Sequence, residues 1–149
     1  MITYRRADPK DDFEFGKMLH HAAYHDVVVR QFGTWDRRMQ DRFFVDGWNR
    51  SPHLIVLLDG IPVGAVSFGD IEDYSYIHEI QILPNYQGRG IGSQFLRERI
   101  EAARSVGKRL KLKVLRENKA KHLYLRMGFV SYEENVVEIK MEWRSLQIL

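Results

Sequence analysis

The sequence predicts an α/β (α+β) fold built on a mixed, largely antiparallel sheet. Short runs that alternate apolar and polar residues recur along it, as half-buried strands require. An Asp59-Gly60 dipeptide joins two such runs in the manner of a tight hairpin. A third run, Ile77 to Ile82, stops at Pro84 and passes through alternating glycines into a helical pattern. The order read along the chain is β-α-α-β-β-β-α-β-α-β-β.

A length of 149 residues suits one domain with a single core, 1-149. With 44% hydrophobic and 29% charged residues the composition is that of a globular protein. The absence of cysteine excludes a disulfide framework, thiolate catalysis and cysteine-ligated metal. Met1 to Arg6 lacks the apolar core of a signal peptide and no run is long enough to span a bilayer, so a cytoplasmic location is expected. A net charge of +3 with both signs interspersed tolerates an anionic ligand. A nucleic-acid binder fits poorly, because Lys and Arg are not clustered with aromatics.

Ile2 to Arg6 alternates as a strand. Asp8-Pro9 has the form of a helix start, followed by acids in the first turn. Phe15, Met18, Leu19 and Ala22 form an apolar stripe, which predicts a helix to about His25. His21 and His25 lie four apart, but no Glu follows His21 and no third ligand is evident. Solvated histidines or part of an acceptor pocket is the reading taken, and no metal site is expected. A second helix starts at Thr34 or Trp35, with Trp35, Met39 and Phe43 on one face and Gly47 and Ser51-Pro52 at its end. His53 to Leu58 and Ile61 to Phe68 make the hairpin, with Pro62 marking an edge or terminal position. Gly69 to Asp73 reads as a polar loop. The third helix buries Ile91, Phe95, Ile100 and Ala103 and ends at Gly107. Leu110 to Leu115 is the next strand, Asn118 begins a short helix, and strands at Val130 to Glu133 and Val136 to Trp143 follow.

Strand, glycine turn and helix N-terminus together present backbone N–H groups to an anion. A dinucleotide fingerprint fails here, because the third glycine falls early and no acid follows at the right distance. A phosphate-binding P-loop fails too, since Ile91-Gly92 stands where Lys-Ser/Thr is needed. What remains is Gln87-x-x-Gly90-x-Gly92, and downstream Asn118-x-x-x-x-x-Tyr124-x-x-x-Gly128-Phe129 with Ala120 between. The two segments, in this order and one helix and one strand apart, resemble the paired motifs of the GNAT superfamily of N-acetyltransferases.

The resemblance implies a GNAT-like sheet with helices on both faces and two splayed parallel strands, here Ile77–Leu83 and Leu110–Leu115. It implies acetyl-CoA as co-substrate, with no metal. The backbone of Ile82 and Leu83 would hold the pantetheine arm. Gln87, Gly88, Arg89, Gly90, Ile91, Gly92 and Ser93 would wrap the pyrophosphate, with Asn118 beside the coenzyme. Tyr124 would protonate the departing thiolate, and the Ile82 N–H would meet the oxyanion. Acetyl transfer to an amine also needs a base. Strand alternation puts Tyr76, His78 and Ile80 on one face and Glu79 and Gln81 on the other. His78 is the first candidate and Glu79 the second. The acceptor, a small-molecule amine before a protein, would be shaped by Tyr24, His25, Phe32, Trp35 and Tyr76. The alternative is a coenzyme-A-binding sensor or interaction module without chemistry. No membrane or nucleic-acid partner is expected, and a homodimer stays open.

Overall fold

The computed structural model describes residues 1–145. The element order is β1 (Ile2–Arg6), α1 (Phe13–Phe32), α2 (Arg37–Arg50), β2 (Leu54–Leu58), β3 (Ile61–Ile71), β4 (Tyr74–Ile82), α3 (Ile91–Ser105), β5 (Arg109–Leu115), α4 (Ala120–Arg126), β6 (Val130–Glu134) and β7 (Glu138–Trp143). A short 3-10 turn at Pro84–Tyr86 separates β4 from α3. The strands form one seven-stranded sheet in the order β1-β2-β3-β4-β5-β7-β6. Strands β4 and β5 run parallel, with Tyr74 to Tyr76 set against Arg109 to Lys111. Ile77 to Ile82 extends beyond that paired register.

The chain divides into two compact units. The first, residues 1–68 with 79–91, holds β1, β2, α1, α2 and the end of β4. Its two helices differ from the sequence expectation. Residues 9–12 form turns, with Asp8 Oδ1 accepting from the N–H groups of Lys10 and Asp11, and α1 starts only at Phe13. The helix runs on to Phe32 because no breaker occurs before Gly33, which ends it in the left-handed region at φ 81°. Its buried face is Gly16, Leu19 and His20, while Met18 is exposed. In α2, Asp36 caps the start by accepting from Met39 N at 3.1 Å, Gly47 lies inside the helix, and the buried face is Gln40, Phe44 and Trp48. Both stripes are rotated by one residue, and Gly16 is the reason. A Cβ there would lie 2.9 Å from Trp48 Cζ3 and 3.1 Å from Phe44, so the bare backbone lets α2 close onto α1.

Beneath them Leu19, Ile55 and Ala65 form a core cluster. The turn from β2 to β3 places Asp59 and Gly60 at φ 50° and 84°, as a primed hairpin turn needs. Pro62 is at the start of a strand that lies inside the sheet, opposite a register shift at Val56/Leu57. At Gly64 a Cβ would fall 2.4 Å from the Gln81 carbonyl, so only glycine lets β3 approach the end of β4 this closely.

The second unit, residues 69–78 and from Gly92 onward, contains β5, α4, β6, β7 and nearly all of α3. The expected Gly69–Asp73 loop is shorter, since β3 continues to Ile71 and β4 already begins at Tyr74. The stripe on α3 is as expected: Ile91, Phe95, Ile100 and Ala103 are buried, with Leu96. Gly107 at φ 68° ends the helix, its neighbour Lys108 donating to Ala103 O at 2.9 Å. Asn135 turns β6 into β7 by accepting from the N–H groups of Val137 and Glu138.

The glycines make two opposite expectations. Gly64→Ala forces a Cβ against backbone and lowers unfolding free energy by about 1–3 kcal/mol; Gly47→Ala, with nothing within 4 Å in a helix, raises it by about 0.5–1 kcal/mol. Urea melts of both variants check this, and a tolerated Gly64→Ala contradicts the close approach. At the start of α1, Arg5 holds the Asp12 carboxyl below its usual range, chiefly through a two-pronged hydrogen bond at 2.8 and 3.0 Å. A depressed carboxyl adds stability above its unfolded pKa, lost as pH falls through the lower folded value. Arg5→Met therefore flattens the acid limb of stability against pH below about pH 4, read by urea midpoints; an unchanged limb would refute the assignment.

Candidate active site

At the end of β4 the backbone decides what is offered. Leu83 N donates to Val63 O at 2.8 Å, so alternation turns the N–H and carbonyl of Ile82 away from β3. The Gln87 amide donates to the Ile82 carbonyl at 2.9 Å, tying the glycine loop back to the strand. Tyr86 N takes the Leu83 carbonyl, so both backbone groups of Leu83 are engaged inside the chain. In the loop, Gly88 and Gly90 sit at φ 76° and 83°, conformations that side chains rarely adopt. Two left-handed residues before Ile91, the first residue of α3, turn the exposed main chain around the helix N-terminus. Arg89 lies over the Tyr86 ring at 5.0 Å, which keeps a cation on this loop.

In the second unit a Cβ at Gly92 would lie 3.8 Å from Leu123 Cδ2, so the start of α3 meets α4. Asn118 Oδ1 accepts from Ala120 N at 2.9 Å and opens α4. Tyr124 is 8% exposed. Its carbonyl accepts from Phe129 N at 3.0 Å and its ring meets that of Phe129 at 5.9 Å. Gly128, at φ 98° with Trp143 just 3.4 Å from where its Cβ would be, makes that return possible. The spacing from Tyr124 to Gly128-Phe129 is thus the geometry that anchors the tyrosine.

His78 and Glu79 are on opposite faces of β4. His78 is exposed, with its ring 5.1 Å from Tyr76 and Gly69 beside it. Burial, above all, pushes the Tyr76 phenol up to about 12, so it stays protonated and is a donor, not a base. Glu79 points instead to the helices of the first unit: Tyr24 Oη donates to its Oε2 at 2.7 Å. Gln81 Nε2 approaches the same oxygen at 3.4 Å and His20 Nδ1 at 3.5 Å, and His20 Nε2 meets Gln40 Oε1 at 2.9 Å. Gly16, His20, Phe44, Trp48, Glu79 and Gln81 line a cavity of ≈ 20 Å³, room for about one water.

Of the expected acceptor residues, Tyr24 joins this cluster through Glu79. His25 packs on Trp35 at 5.2 Å and bonds Asp26, Phe32 is exposed at the end of α1, and Tyr76 belongs to the other unit. His21 meets Asp41 at 2.6 Å, and its bond holds that carboxyl below its ordinary range. Among the described residues no group of three or more His, Cys, Asp or Glu is placed to hold a metal. Nor is any helix long and apolar enough to cross a membrane. The sequence reading did not assign Gln81, Gln40 or His20 to the site. Gln81 shares the Glu79 face by strand alternation, whereas His20 and Gln40 lie one residue off the apolar stripes and carry no signal in them.

The model of the Acetyltransferase (GNAT) family matches residues 19–129. An L-methionine sulfoximine/L-methionine sulfone acetyltransferase of Salmonella typhimurium is 28% identical over 72% of this chain and 66% of its own. An L-amino acid N-acyltransferase, MnaT, of Escherichia coli is 31% identical over 87% of this chain and 80% of its own. The chain thus spans just under two thirds of the first relative's length and four fifths of the second's. A PaiA N-acetyltransferase from Thermoplasma acidophilum, solved in complex with coenzyme A, has the same fold, with a TM-score of 0.78 at 16% identity over 97% of this chain and 99% of that one. With the paired motifs on the loop before α3 and on α4, the chain belongs to the GNAT family of acetyltransferases.

Proposed function

We propose that the protein is a single-domain, acetyl-CoA-dependent N-acetyltransferase that acts on a small-molecule primary amine. The observation that carries this reading is the loop of Gln87 to Ser93, with Gly88 and Gly90 left-handed ahead of α3 and Gln87 bonded to the Ile82 carbonyl. Main-chain N–H groups gathered at a helix start suit the coenzyme diphosphate, with Arg89 as a nearby cation. The pantetheine contact falls to Ile82, since Val63 and Tyr86 engage Leu83. Asn118 lines the coenzyme arm beside its capping role. The relatives that act on amino acids support a small amine over a protein acceptor.

The chemistry divides among three groups. An ammonium must lose a proton before its nitrogen attacks the thioester carbonyl. Glu79 takes that proton, directly or through one water, in preference to His78. It is the carboxylate that Tyr24 and Gln81 orient and that lines the cavity, whereas His78 is exposed on the opposite face. The new C–N bond pushes charge onto the carbonyl oxygen, which the Ile82 N–H receives. As the C–S bond breaks, Tyr124 gives its proton to the thiolate, the second proton on the nitrogen restores the phenol, and Glu79 releases the first to solvent. Acetyl-CoA and an ammonium thereby become an acetamide, coenzyme A and one proton.

Coenzyme release assayed across a panel of amino acids and small amines tests the reading. Release stimulated by at least one amine is expected; none with any amine, while coenzyme binds, would leave the sensor reading in its place. With a responsive amine, Tyr124→Phe slows turnover by about 10²–10⁴-fold. Glu79→Gln brings a comparable loss, largest below neutral pH where the free amine is scarce, and His78→Ala changes it less than tenfold. If His78→Ala abolishes turnover and Glu79→Gln spares it, the base is His78.

A further inference from the structure

We propose that His20 and Gln40 form a positioning relay that, through Gln81, fixes the Glu79 carboxylate for proton removal. The role rests on the transferase reading above. Neither residue touches substrate; both act through their neighbours.

Four hydrogen bonds, each directional, make up the relay. Gln40 Oε1 can only accept, so at 2.9 Å the His20 Nε2 carries the proton. In a neutral imidazole the other nitrogen then accepts, and His20 Nδ1 faces the Gln81 amide nitrogen at 3.5 Å. That amide has two N–H groups. One goes to His20 and the other to Glu79 Oε2 at 3.4 Å, which also receives Tyr24 Oη at 2.7 Å. Gln81 is thereby held at both ends, and the carboxylate has two donors on one oxygen.

Burial keeps the relay in this sense. His20 is 8%, Gln40 6% and Gln81 7% exposed, so an imidazolium has little solvent to support it. The groups that face His20 are the His21 ring and Tyr24 on its own helix, Gln40 with Asp41 on α2, and Gln81 with Glu79 on β4. Desolvation, ahead of the other contributions, lowers its pKa, while the Gln40 bond works the other way. An imidazolium would present a donor to the Gln81 NH₂, reverse the contact and release Gln81 from Glu79. A core histidine needs two satisfied nitrogens and no more. Here both partners are amides, one of which ends on the only carboxylate lining the described cavity.

The test pairs His20→Phe, which keeps a ring among Tyr24, Trp35 and Phe44, with Gln40→Met, which leaves the histidine in place. Imidazole ¹⁵N shifts of the unaltered protein should show Nε2 protonated and Nδ1 bare at pH 7. In steady state with a responsive amine, both variants lose about 10–100-fold in kcat. Their KM for the amine and their calorimetric affinity for coenzyme A stay within about threefold. The variants should also shift the acid limb of the kcat profile, which a purely structural residue would leave in place. A kcat within twofold of wild type in both folded variants overturns the relay, as does a protonated Nδ1. Should His20→Phe fail to fold, the same readings on Gln40→Met decide. Absence of turnover in the unaltered protein overturns the transferase reading and the relay's role together. Turnover intact in the variants overturns the relay alone.

Discussion

The approach of β3 to the end of β4 at Gly64 is the constraint on which the candidate site depends. No side chain intervenes, the Gln81 carbonyl fills the space a Cβ would occupy, and Leu83 N reaches Val63 O two residues further on. This fixes the phase of the strand. Once Leu83 faces β3, Ile82 must turn its main-chain groups the other way, and Glu79 and Gln81 must share one face. A slip of one residue would exchange the two sets and leave Glu79 without Tyr24. Strand phase therefore determines at once which N–H turns away from β3 and which carboxylate meets the helices.

A second constraint works on the helices. Gly16 brings Phe44 and Trp48 against α1, and that packing brings Gln40 opposite His20. His20, Gln40 and Gln81 are thereby buried between the aromatic rings and β4. Buried polar groups are costly unless each finds a partner, and here the partners come from three different elements. The second unit uses a similar economy: the left-handed Gly128 lets Phe129 return to the Tyr124 carbonyl, so a motif of spacing becomes a fixed position for one phenol.

Where contacts are local or glycine-driven, the sequence was legible. The stripe of Ile91, Phe95, Ile100 and Ala103, the turn at Asp59-Gly60 and the end of α3 at Gly107 are each set by periodicity or by a positive φ. The buried faces of α1 and α2 lie one residue off the apolar stripes, because Gly16 has no side chain for hydropathy to count yet is the surface on which Phe44 and Trp48 close. Met18 and Phe43, apolar and well spaced, are exposed, while His20 and Gln40 are buried. Hydropathy judges each residue alone, whereas His20 and Gln40 are buried as a pair 20 positions apart and Tyr24 meets Glu79 across 55. Pairings over such distances leave no trace in a periodic pattern. Strand alternation separates His78 from Glu79, but that Tyr24 meets Glu79 emerges only with the helices in place.

Calorimetric titration of the protein with coenzyme A tests whether the glycine loop before α3 grips the diphosphate. Saturable one-to-one binding is expected, weakening at least tenfold when Gly90, at φ 83°, is replaced by valine. Absence of heat from the unaltered protein, or equal affinity in the valine variant, would contradict it.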